Sequence, residues 1–267
     1  MTQAEKFKSL HHQKTPFILP NVWEPGGAYL VEKMGFQAVA TTSAGIAYSN
    51  AMCDGSIIDP TLMFETIEKI VNVVSIPVTA DVETGYGDLE KTLKTLQSLG
   101  VVGANIEDAR GSDLSDLIGF DEAVSAIKSA KATVGDEFVI NARTDTYLTG
   151  QKNALEMAIE RGNAFLQAGA NCIFVPGVRD PKEMAVLVKE IPAPINVVAG
   201  LSGTPLSMAE YAACGVKRIS TGGSLMRRCF AMLETCLQEM RDQGSFGYAN
   251  DAIADKSIDL LFKGRSD

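Results

Sequence analysis

The sequence has few residues that could act as a base or as a soft metal ligand. It contains two histidines, His11 and His12, and five cysteines among 267 residues. Both histidines precede the first predicted strand, and we expect them on the surface. No two cysteines form a C-x-x-C pair, and an odd number of cysteines is typical of reduced thiols in the cytoplasm. A zinc site of His and Cys therefore lacks its ligands, and a Ser-His-Asp or Cys-His mechanism lacks its base.

Basic charge and long apolar runs are scarce as well. The net charge of −9 and the pI near 4.9 argue against binding to nucleic acid, which needs a basic surface. No apolar run approaches the ~20 residues that span a bilayer. The polar segment Met1 to Lys14 lacks the apolar core of a signal peptide. We therefore expect a soluble, cytoplasmic protein that has no membrane or nucleic-acid partner.

A regular alternation of strand and helix patterns runs through the chain. Helices commonly end at a glycine that precedes the next strand, as at Gly35, Gly100, Gly169 and Gly215. Amphipathic periodicity predicts helices over the following segments: Ala4–Leu10, Gly27–Met34, Thr61–Val74, Leu89–Leu99, Asp121–Thr133, Asn153–Ala168, Pro181–Glu190, Ser207–Ala213 and Ser224–Gln243. Short apolar segments predict eight strands: Phe17–Val22, Ala38–Thr42, Val78–Glu83, Gly103–Glu107, Phe138–Arg143, Cys172–Pro176, Ile195–Ala199 and Arg218–Thr221.

Eight strands in strict alternation with helices predict a (β/α)8 barrel of the TIM type. An open doubly wound sheet uses the same alternation, but Glu24-Pro25-Gly26-Gly27 is not the glycine fingerprint expected after its first strand. No break in composition divides the chain, so residues 1–267 are predicted to form one domain, of which 224–267 are the last helix and a C-terminal extension. That extension is apolar enough to pack on the barrel or on a neighbouring subunit.

Acidic residues cluster where two neighbouring strands end. Asp81 and Glu83 end the third predicted strand, and Glu107 and Asp108 follow the fourth. In an extended strand Asp81 and Glu83 lie on the same side, so their charges repel unless a cation lies between them. One acid here could simply cap the next helix, but four acids at two strand ends favour a cation site. Oxygen ligands alone suit Mg²⁺ or Mn²⁺.

The fifth predicted strand ends in Asn141, Arg143 and Asp145. An arginine at this position can bind a carboxylate or a phosphonate through two parallel hydrogen bonds. The alternative for Arg143 is a buried ion pair with Glu107 or Asp145. No lysine ends any predicted strand, which disfavours an aldolase that forms a Schiff base.

Together these residues resemble the isocitrate lyase/phosphoenolpyruvate mutase superfamily, and the resemblance extends from Leu19 to Gly222. The spacing of Asp54 before Asp81 also matches. The motifs that carry the resemblance are Asp81-x-Glu83-Thr-Gly-Tyr-Gly87, Asn105-Ile106-Glu107-Asp108 and Asn141-Ala142-Arg143-Thr144-Asp145.

The resemblance implies a metal site and its substrate. Asp81 corresponds to the direct Mg²⁺ ligand, whereas Asp54, Glu83 and Glu107 correspond to acids that hold the metal through its waters. Arg143 corresponds to the residue that grips the substrate, and Arg143, Asp54 and Glu107 are the catalytic candidates. The backbone N–H groups and hydroxyl of the turn after the second strand correspond to the receptor for a 2-oxo acid carboxylate, here Thr42, Ser43 and Ala44.

The implied activity is that of a Mg²⁺-dependent lyase on a small 2-oxo or 2-hydroxy dicarboxylate. The bond on the C2–C3 side would break through a metal-stabilised enolate, as in an oxaloacetate decarboxylase or an acyl-lyase. The resemblance also implies a homo-oligomer, a dimer or tetramer, in which the last helix can be exchanged between subunits.

The segment from Asp108 to Leu117 departs from known members. It lacks the Lys-x-Cys-Gly-His element of the isocitrate and methylisocitrate lyases, so isocitrate lyase activity is not expected. It also lacks the Lys-Thr-Asn-like element of relatives that act on phosphonopyruvate. Chemistry on the P–C bond of phosphonopyruvate or phosphoenolpyruvate and a non-catalytic 2-oxo acid binding protein stay open as alternatives. A third alternative is a phosphate cradle at Ala199-Gly200 and Thr221-Gly222-Gly223-Ser224.

Overall fold

The computed structural model describes residues 1–56, 58–110, 116–201, 203 and 206–263. The chain divides into two compact units, Met1–Ser224 and Leu225–Asp267, which we describe separately. The assignment of residues 1–267 to a single domain stays a prediction. Within the described residues, no helix combines the length and the apolar character needed to cross a membrane.

In the described residues, the first unit is built around nine short parallel strands that form one sheet, and a separate antiparallel hairpin follows the fifth of these strands along the chain. Within the described residues the strands are, in chain order, β1 (Phe17–Leu19), β2 (Asn21–Val22), β3 (Val39–Thr41), β4 (Val78–Asp81), β5 (Gly103–Glu107), β6 (Ala109–Arg110), β7 (Asp116–Leu117), β8 (Val139–Arg143), β9 (Cys172–Phe174), β10 (Ile195–Val198) and β11 (Arg218–Ser220).

The sheet closes into a barrel at its first strand. β1 pairs with β11 and β2 pairs with β3, while only Pro20 separates β1 from β2. Proline has no N–H to donate, but the Pro20 carbonyl accepts a hydrogen bond from the Ala40 N–H at 2.9 Å. If β1 and β2 are counted as one interrupted strand, the barrel has eight strand positions. This confirms the predicted (β/α)8 barrel.

Helices alternate with the strands of the barrel, and the bounds of those that were predicted differ from the prediction by three residues or fewer. The helices of the first unit are α1 (Gln3–Leu10), α2 (Pro25–Lys33), α3 (Ser43–Ser49), α4 (Pro60–Val71), α5 (Leu89–Ser98), α6 (Phe120–Val134), α7 (Ala154–Gln167), α8 (Pro181–Glu190) and α9 (Met208–Cys214).

Two elements of the first unit were not predicted from the sequence. No helix was predicted between the second and third strands before Thr61, but the segment after β3 begins with the short helix α3, where the Thr42 hydroxyl accepts a hydrogen bond from the Gly45 N–H. The segment after β5 contains the hairpin formed by β6 and β7. Both elements are too short for hydrophobic periodicity to reveal them, and they border the carboxyl ends of strands.

The expectation that both histidines lie on the surface is wrong for His11. α1 packs Phe7 and Leu10 against Phe17, and His11 lies in the same apolar cluster with 2% of its surface exposed. Its Nδ1 hydrogen bonds to the carbonyl oxygen of Phe7 at 2.9 Å, and its ring contacts both phenylalanines edge to face. His12 is exposed. The adjacent residues separate because α1 ends at Leu10 and turns His11 inward.

The second unit contains the long helix α10, which spans Ser224–Gln243 as predicted. A 3₁₀ turn over Gly247–Asp251 and a final helix, α11 (Asp255–Phe262), follow it. Large apolar side chains of this unit are exposed in the single chain, among them Phe230, Leu237 and Phe246.

Candidate active site

The register of three neighbouring strands brings the predicted residues together. In β4 and β5, Asp81 lies opposite Asn105, and in β5 and β8, Glu107 lies opposite Arg143. Asn105 also lies opposite Asn141. These pairs are at the carboxyl ends of the strands, which is the end of a (β/α)8 barrel where active sites are built.

A cleft of about 300 Å³ opens at this end of the barrel. Every residue that the sequence predicted for the site borders it: Thr42, Ser43, Ala44, Asp54, Asp81, Glu83, Glu107 and Arg143. Asn21, Asn105 and the apolar residues Leu148 and Phe174 also contribute to its walls. The residues come from six different strand ends and loops, so only the closed barrel makes them neighbours.

Asp81 is the most firmly held acid of the cleft. Its Oδ2 accepts hydrogen bonds from the Ser43 hydroxyl at 3.0 Å and from the Ser43 N–H at 3.3 Å. Its Oδ1 faces the Asn105 amide nitrogen at 3.5 Å, and its own N–H donates to the Thr41 hydroxyl. The Ser43 donors that were predicted to receive a substrate carboxylate thus bind Asp81 in this structure. The Thr42 hydroxyl caps α3 by accepting from the Gly45 N–H.

Glu83 enters the cleft by a route that strand periodicity does not predict. β4 ends at Asp81, so the alternation of side chains within a strand does not place Glu83 beside it. Glu83 instead has a φ of 52°, in the left-handed region that residues with a Cβ rarely adopt. This turn directs the chain away from β4, and Glu83 and Asp81 border the same cleft. Within the described residues, the buried Glu83 Oε1 has no hydrogen-bond partner.

Arg143 forms ion pairs with both Glu107 and Asp145, the two acids that the sequence offered as its structural partners. Its Nη1 lies 2.8 Å from Glu107 Oε2, and its Nε donates to Asp145 Oδ1 at 2.8 Å. The guanidinium also lies over the Phe174 ring, 5.7 Å from its centre. The arginine still borders the cleft, so the ion pairs fix the direction in which it is presented.

The cleft has an excess of negative charge, and this shows in the pKa values of its acids. Burial and the charges of Asp81 and Asp54 raise the pKa of Glu83 to about 7. Desolvation, followed by the charge of Asp81, raises the pKa of Asp54, which lies exposed at the rim. Burial also raises the pKa of Glu107, against the effect of Arg143. One arginine does not compensate these acids, and a bound cation would.

The residues present suit a magnesium ion. Apart from Arg143, the polar side chains that border the cleft carry carboxylate, hydroxyl or amide groups, and one of them, Glu83, has a buried oxygen, Oε1, with no hydrogen-bond partner among the described residues. In the part of the chain that the structure describes, no three His, Cys, Asp or Glu side chains converge closely enough to enclose a metal directly. Mg²⁺ fits such a site because it takes few protein ligands and retains several waters.

Sequence reasoning missed the buried residues that support the cleft. Asp108 was read only as one more acid at a strand end, but its Oδ2 forms a buried ion pair with Arg161 of α7 at 2.9 Å. Its Oδ1 accepts the Asp145 N–H at 2.8 Å. A signal for Arg161 was present, since it lies between Ala158 and Phe165 on the apolar face of an amphipathic helix.

A phosphate cradle after β10 and β11, the third alternative, would need backbone N–H donors, and two of them are already hydrogen bonded within the protein. Asn21 Oδ1 accepts hydrogen bonds from the N–H groups of Thr221 and Gly222, each at 2.9 Å. These amides join the first and last strands of the barrel. They are therefore engaged in closing the barrel rather than directed at a ligand.

Comparison with known proteins agrees with this arrangement. The family model described as phosphoenolpyruvate phosphomutase matches residues 7–241. The chain therefore belongs to the phosphoenolpyruvate mutase family, within the isocitrate lyase/phosphoenolpyruvate mutase superfamily. Members of this superfamily are carbon–carbon lyases and mutases, and the chain is an enzyme of this kind.

Its relatives include an uncharacterized protein of Mycobacterium tuberculosis, which is 34% identical over 217 residues covering 81% of each chain. The 2,3-dimethylmalate lyase of Eubacterium barkeri is 30% identical over 228 residues, covering 80% of this chain and 78% of the relative. A crystal structure from Burkholderia cenocepacia J2315, provisionally named as a lyase/mutase, is 36% identical. It has a TM-score of 0.93 and covers 99% of this chain and 96% of that one.

Other relatives bear the names of several reactions. They include a 2-methylisocitrate lyase at 27% identity and an oxaloacetate decarboxylase at 28%. Oxaloacetate acetylhydrolase, solved in complex with oxalate, is 26% identical with a TM-score of 0.87. The superfamily thus defines the fold and the type of enzyme, while its members differ in the bond that they cleave.

Proposed function

We propose that this enzyme is a Mg²⁺-dependent lyase that cleaves the bond on the C2–C3 side of a small 2-oxo or 2-hydroxy dicarboxylate. The observation that carries this proposal is the grouping of four acids and Arg143 in one cleft at the strand ends, with raised pKa values for Glu83, Asp54 and Glu107. Relatives named as oxaloacetate decarboxylase, oxaloacetate acetylhydrolase and 2,3-dimethylmalate lyase support it.

The acids of the cleft would bind the metal in two ways, directly and through its waters. Asp81 would be the direct ligand, because Ser43 and Asn105 fix its carboxylate while it borders the cleft. Asp54, Glu83 and Glu107 would accept hydrogen bonds from the waters of the ion. Bound there, Mg²⁺, or Mn²⁺ as a substitute, would polarise the 2-oxo acid and stabilise the negative charge left when the bond breaks.

Arg143 would bind a carboxylate of the substrate. Its ion pairs with Glu107 and Asp145 hold the guanidinium at the wall of the cleft, and a preorganised charged donor loses little freedom when the ligand arrives. Thr42, Ser43 and Ala44 would contribute polar contacts near Asp81. We also propose a cytoplasmic location and a homo-oligomer, either a dimer or a tetramer; the apolar side chains exposed on α10 support the oligomer.

The test is to assay pyruvate release from oxaloacetate with Mg²⁺, for the unmodified protein and for Asp81→Asn. Phosphate release from phosphonopyruvate is measured in parallel. We expect turnover of the 2-oxo dicarboxylate, abolished by EDTA, and a loss of at least about 100-fold in kcat/KM for Asp81→Asn, since the loss of supporting residues alone costs 10–100-fold at metal sites. Glu137→Gln, which neutralises an exposed acid outside the cleft, is the control.

Full activity in excess EDTA would contradict the proposal. Phosphate release without pyruvate formation from oxaloacetate would assign the enzyme to P–C bond chemistry, for which the description of the matched family is the supporting observation. Binding of 2-oxo acids with no turnover of either substrate would support a non-catalytic binding protein.

A further inference from the structure

A chain of buried charges leads from helix α7 to the cleft. Arg161 is 6% exposed, and its Nη1 lies 2.9 Å from Asp108 Oδ2. Asp108 Oδ1 in turn accepts the Asp145 N–H at 2.8 Å, and Asp145 Oδ1 accepts from Arg143 Nε at 2.8 Å. Two carboxylates thus lie between two guanidinium groups along this path, and the Asp145 backbone N–H links the carboxylate of Asp108 to Asp145. Arg143 is therefore oriented by a residue that does not border the cleft.

Arg161 also contacts the residue that follows the second strand of the hairpin formed by β6 and β7. Its Nη2 donates to the Ile118 carbonyl at 2.8 Å, and its guanidinium lies 6.0 Å from the centre of the Phe120 ring. The Ile118 N–H donates to the Asp108 carbonyl at 2.7 Å. Asp108 precedes β6 and Ile118 follows β7, so the Arg161 guanidinium binds the residues on both sides of the hairpin.

A buried arginine is costly to desolvate, and it is retained only where its hydrogen bonds and its counter-charge are well arranged. Arg161 meets these conditions, because its two terminal nitrogens donate to different acceptors, the Asp108 carboxylate and the Ile118 carbonyl, on opposite sides of the hairpin. A leucine at this place on the apolar face of α7 would satisfy packing alone. The hydrogen bonds of Arg161 therefore indicate a role beyond packing in the core.

We propose that Arg161 is a positioning residue that orients Arg143 through Asp108 and Asp145 and fixes the base of the segment between Asp108 and Ile118. Asp108 and Ile118 border the part of the sequence that lacks the lyase and phosphonopyruvate motifs. The effect on substrate binding rests on the proposed role of Arg143 as the carboxylate clamp.

Amide hydrogen exchange tests the positioning without relying on activity. The variants are Arg161→Met and Arg161→Lys; the lysine retains the charge but cannot reach Asp108 and the Ile118 carbonyl together. We expect the Asp145 and Ile118 amides to exchange at least about 10-fold faster in both variants, because their acceptor groups lose their support. Amides of β10 and β11 should be unchanged. Unchanged exchange at Asp145 and Ile118 in the Arg161→Lys variant would overturn the proposal.

A double-mutant cycle tests the link to Arg143. With Mg²⁺ and oxaloacetate, Arg161→Lys should raise KM about 10-fold and change kcat by less than about threefold, since the lost interaction is one of binding. In an Arg143→Lys background the same change should raise KM by less than about twofold, because residues acting through one contact are not additive.

Equal effects on KM in the two backgrounds would show that Arg161 does not act through Arg143, and would overturn the link. Arg110→Met is the matched control, since Arg110 is an exposed arginine of the same hairpin that pairs with Glu122. It should change neither exchange nor KM. If the unmodified protein fails to turn over oxaloacetate, the proposed function fails, while the exchange rates still decide the role of Arg161.

Discussion

At the scale of residues, His11 shows how far burial can move a side chain from its ordinary behaviour. It lies against Phe7 and Phe17, with Arg218 nearby in the barrel interior. Burial, followed by the charge of Arg218, lowers the pKa of His11 to about 3. The ring is therefore neutral in the folded protein at all but strongly acidic pH, and it serves the core and not the chemistry.

This lowered pKa predicts a pH dependence of stability. Below about pH 6.5 the unfolded chain takes up a proton at this histidine, whereas the folded protein does not until about pH 3. The contribution of His11 therefore makes the free energy of unfolding fall as pH decreases through this window, by up to about 1.4 kcal/mol per pH unit. Above pH 6.5 the contribution is constant.

The measurement compares urea unfolding of the unmodified protein and of His11→Leu between pH 3.5 and 7.5. Leucine fills the apolar site and does not titrate, so the difference in unfolding free energy should grow in favour of the variant as pH falls. His12→Leu, at an exposed position, is the control. Parallel stability curves for the unmodified protein and His11→Leu would show that the folded protein binds this proton normally.

At the scale of elements, the turn after β4 connects the acids of the cleft to helix α5. Gly85 and Gly87 have φ values of 96° and 85°, and Glu83 before them and Tyr86 between them are also left-handed. A Cβ on Gly85 would lie 2.7 Å from Leu89 Cα, whereas a Cβ on Gly87 would meet no atom within 4 Å. Both glycines supply the φ value, but only Gly85 also permits a close approach of two backbone segments.

The pair Gly85→Ala and Gly87→Ala separates these two effects. Each substitution should cost about 1–2 kcal/mol of stability from the left-handed conformation. Gly85→Ala should cost about 1–3 kcal/mol more, because the clash involves backbone that cannot rotate away. Thermal or urea unfolding measures both values, and equal losses at the two positions would show that the contact with α5 relaxes without cost.

At the scale of the whole molecule, helix α10 presents an apolar stripe. Phe230, Leu233 and Leu237 recur at three- and four-residue spacing and are 46%, 53% and 52% exposed in the single chain. Exposed apolar patches of this kind on a folded protein mark association sites. We predict that this stripe is covered by a second copy of the chain.

Light scattering coupled to size exclusion tests this at micromolar concentration. The unmodified protein should have the mass of a dimer or tetramer, and Leu237→Glu should yield a smaller species, because burying an unpaired carboxylate in the interface is unfavourable. Thr235→Glu places the same charge on the opposite side of the helix and should leave the mass unchanged. A monomeric unmodified protein would refute the association.

Local patterns of the sequence determined most of the architecture. Periodicity and glycine stops located the helices of the barrel, and strand-end acids indicated an oxygen-ligand site, because both depend on neighbours in the chain. Parallel strands align their carboxyl ends, so Asp81, Glu107 and Arg143 could be expected at one edge before any fold was known. The motifs around them also indicated the superfamily.

Only the tertiary structure decided which of these groups touch and what lies behind them. The register of β5 and β8 pairs Glu107 with Arg143, and a left-handed turn brings Glu83 into the cleft. Asp108 forms its ion pair with Arg161 of helix α7, which is 53 residues away along the chain. His11 was buried by the packing of α1. Such contacts depend on closing the barrel, which brings together segments whose separation in sequence carries no local signal.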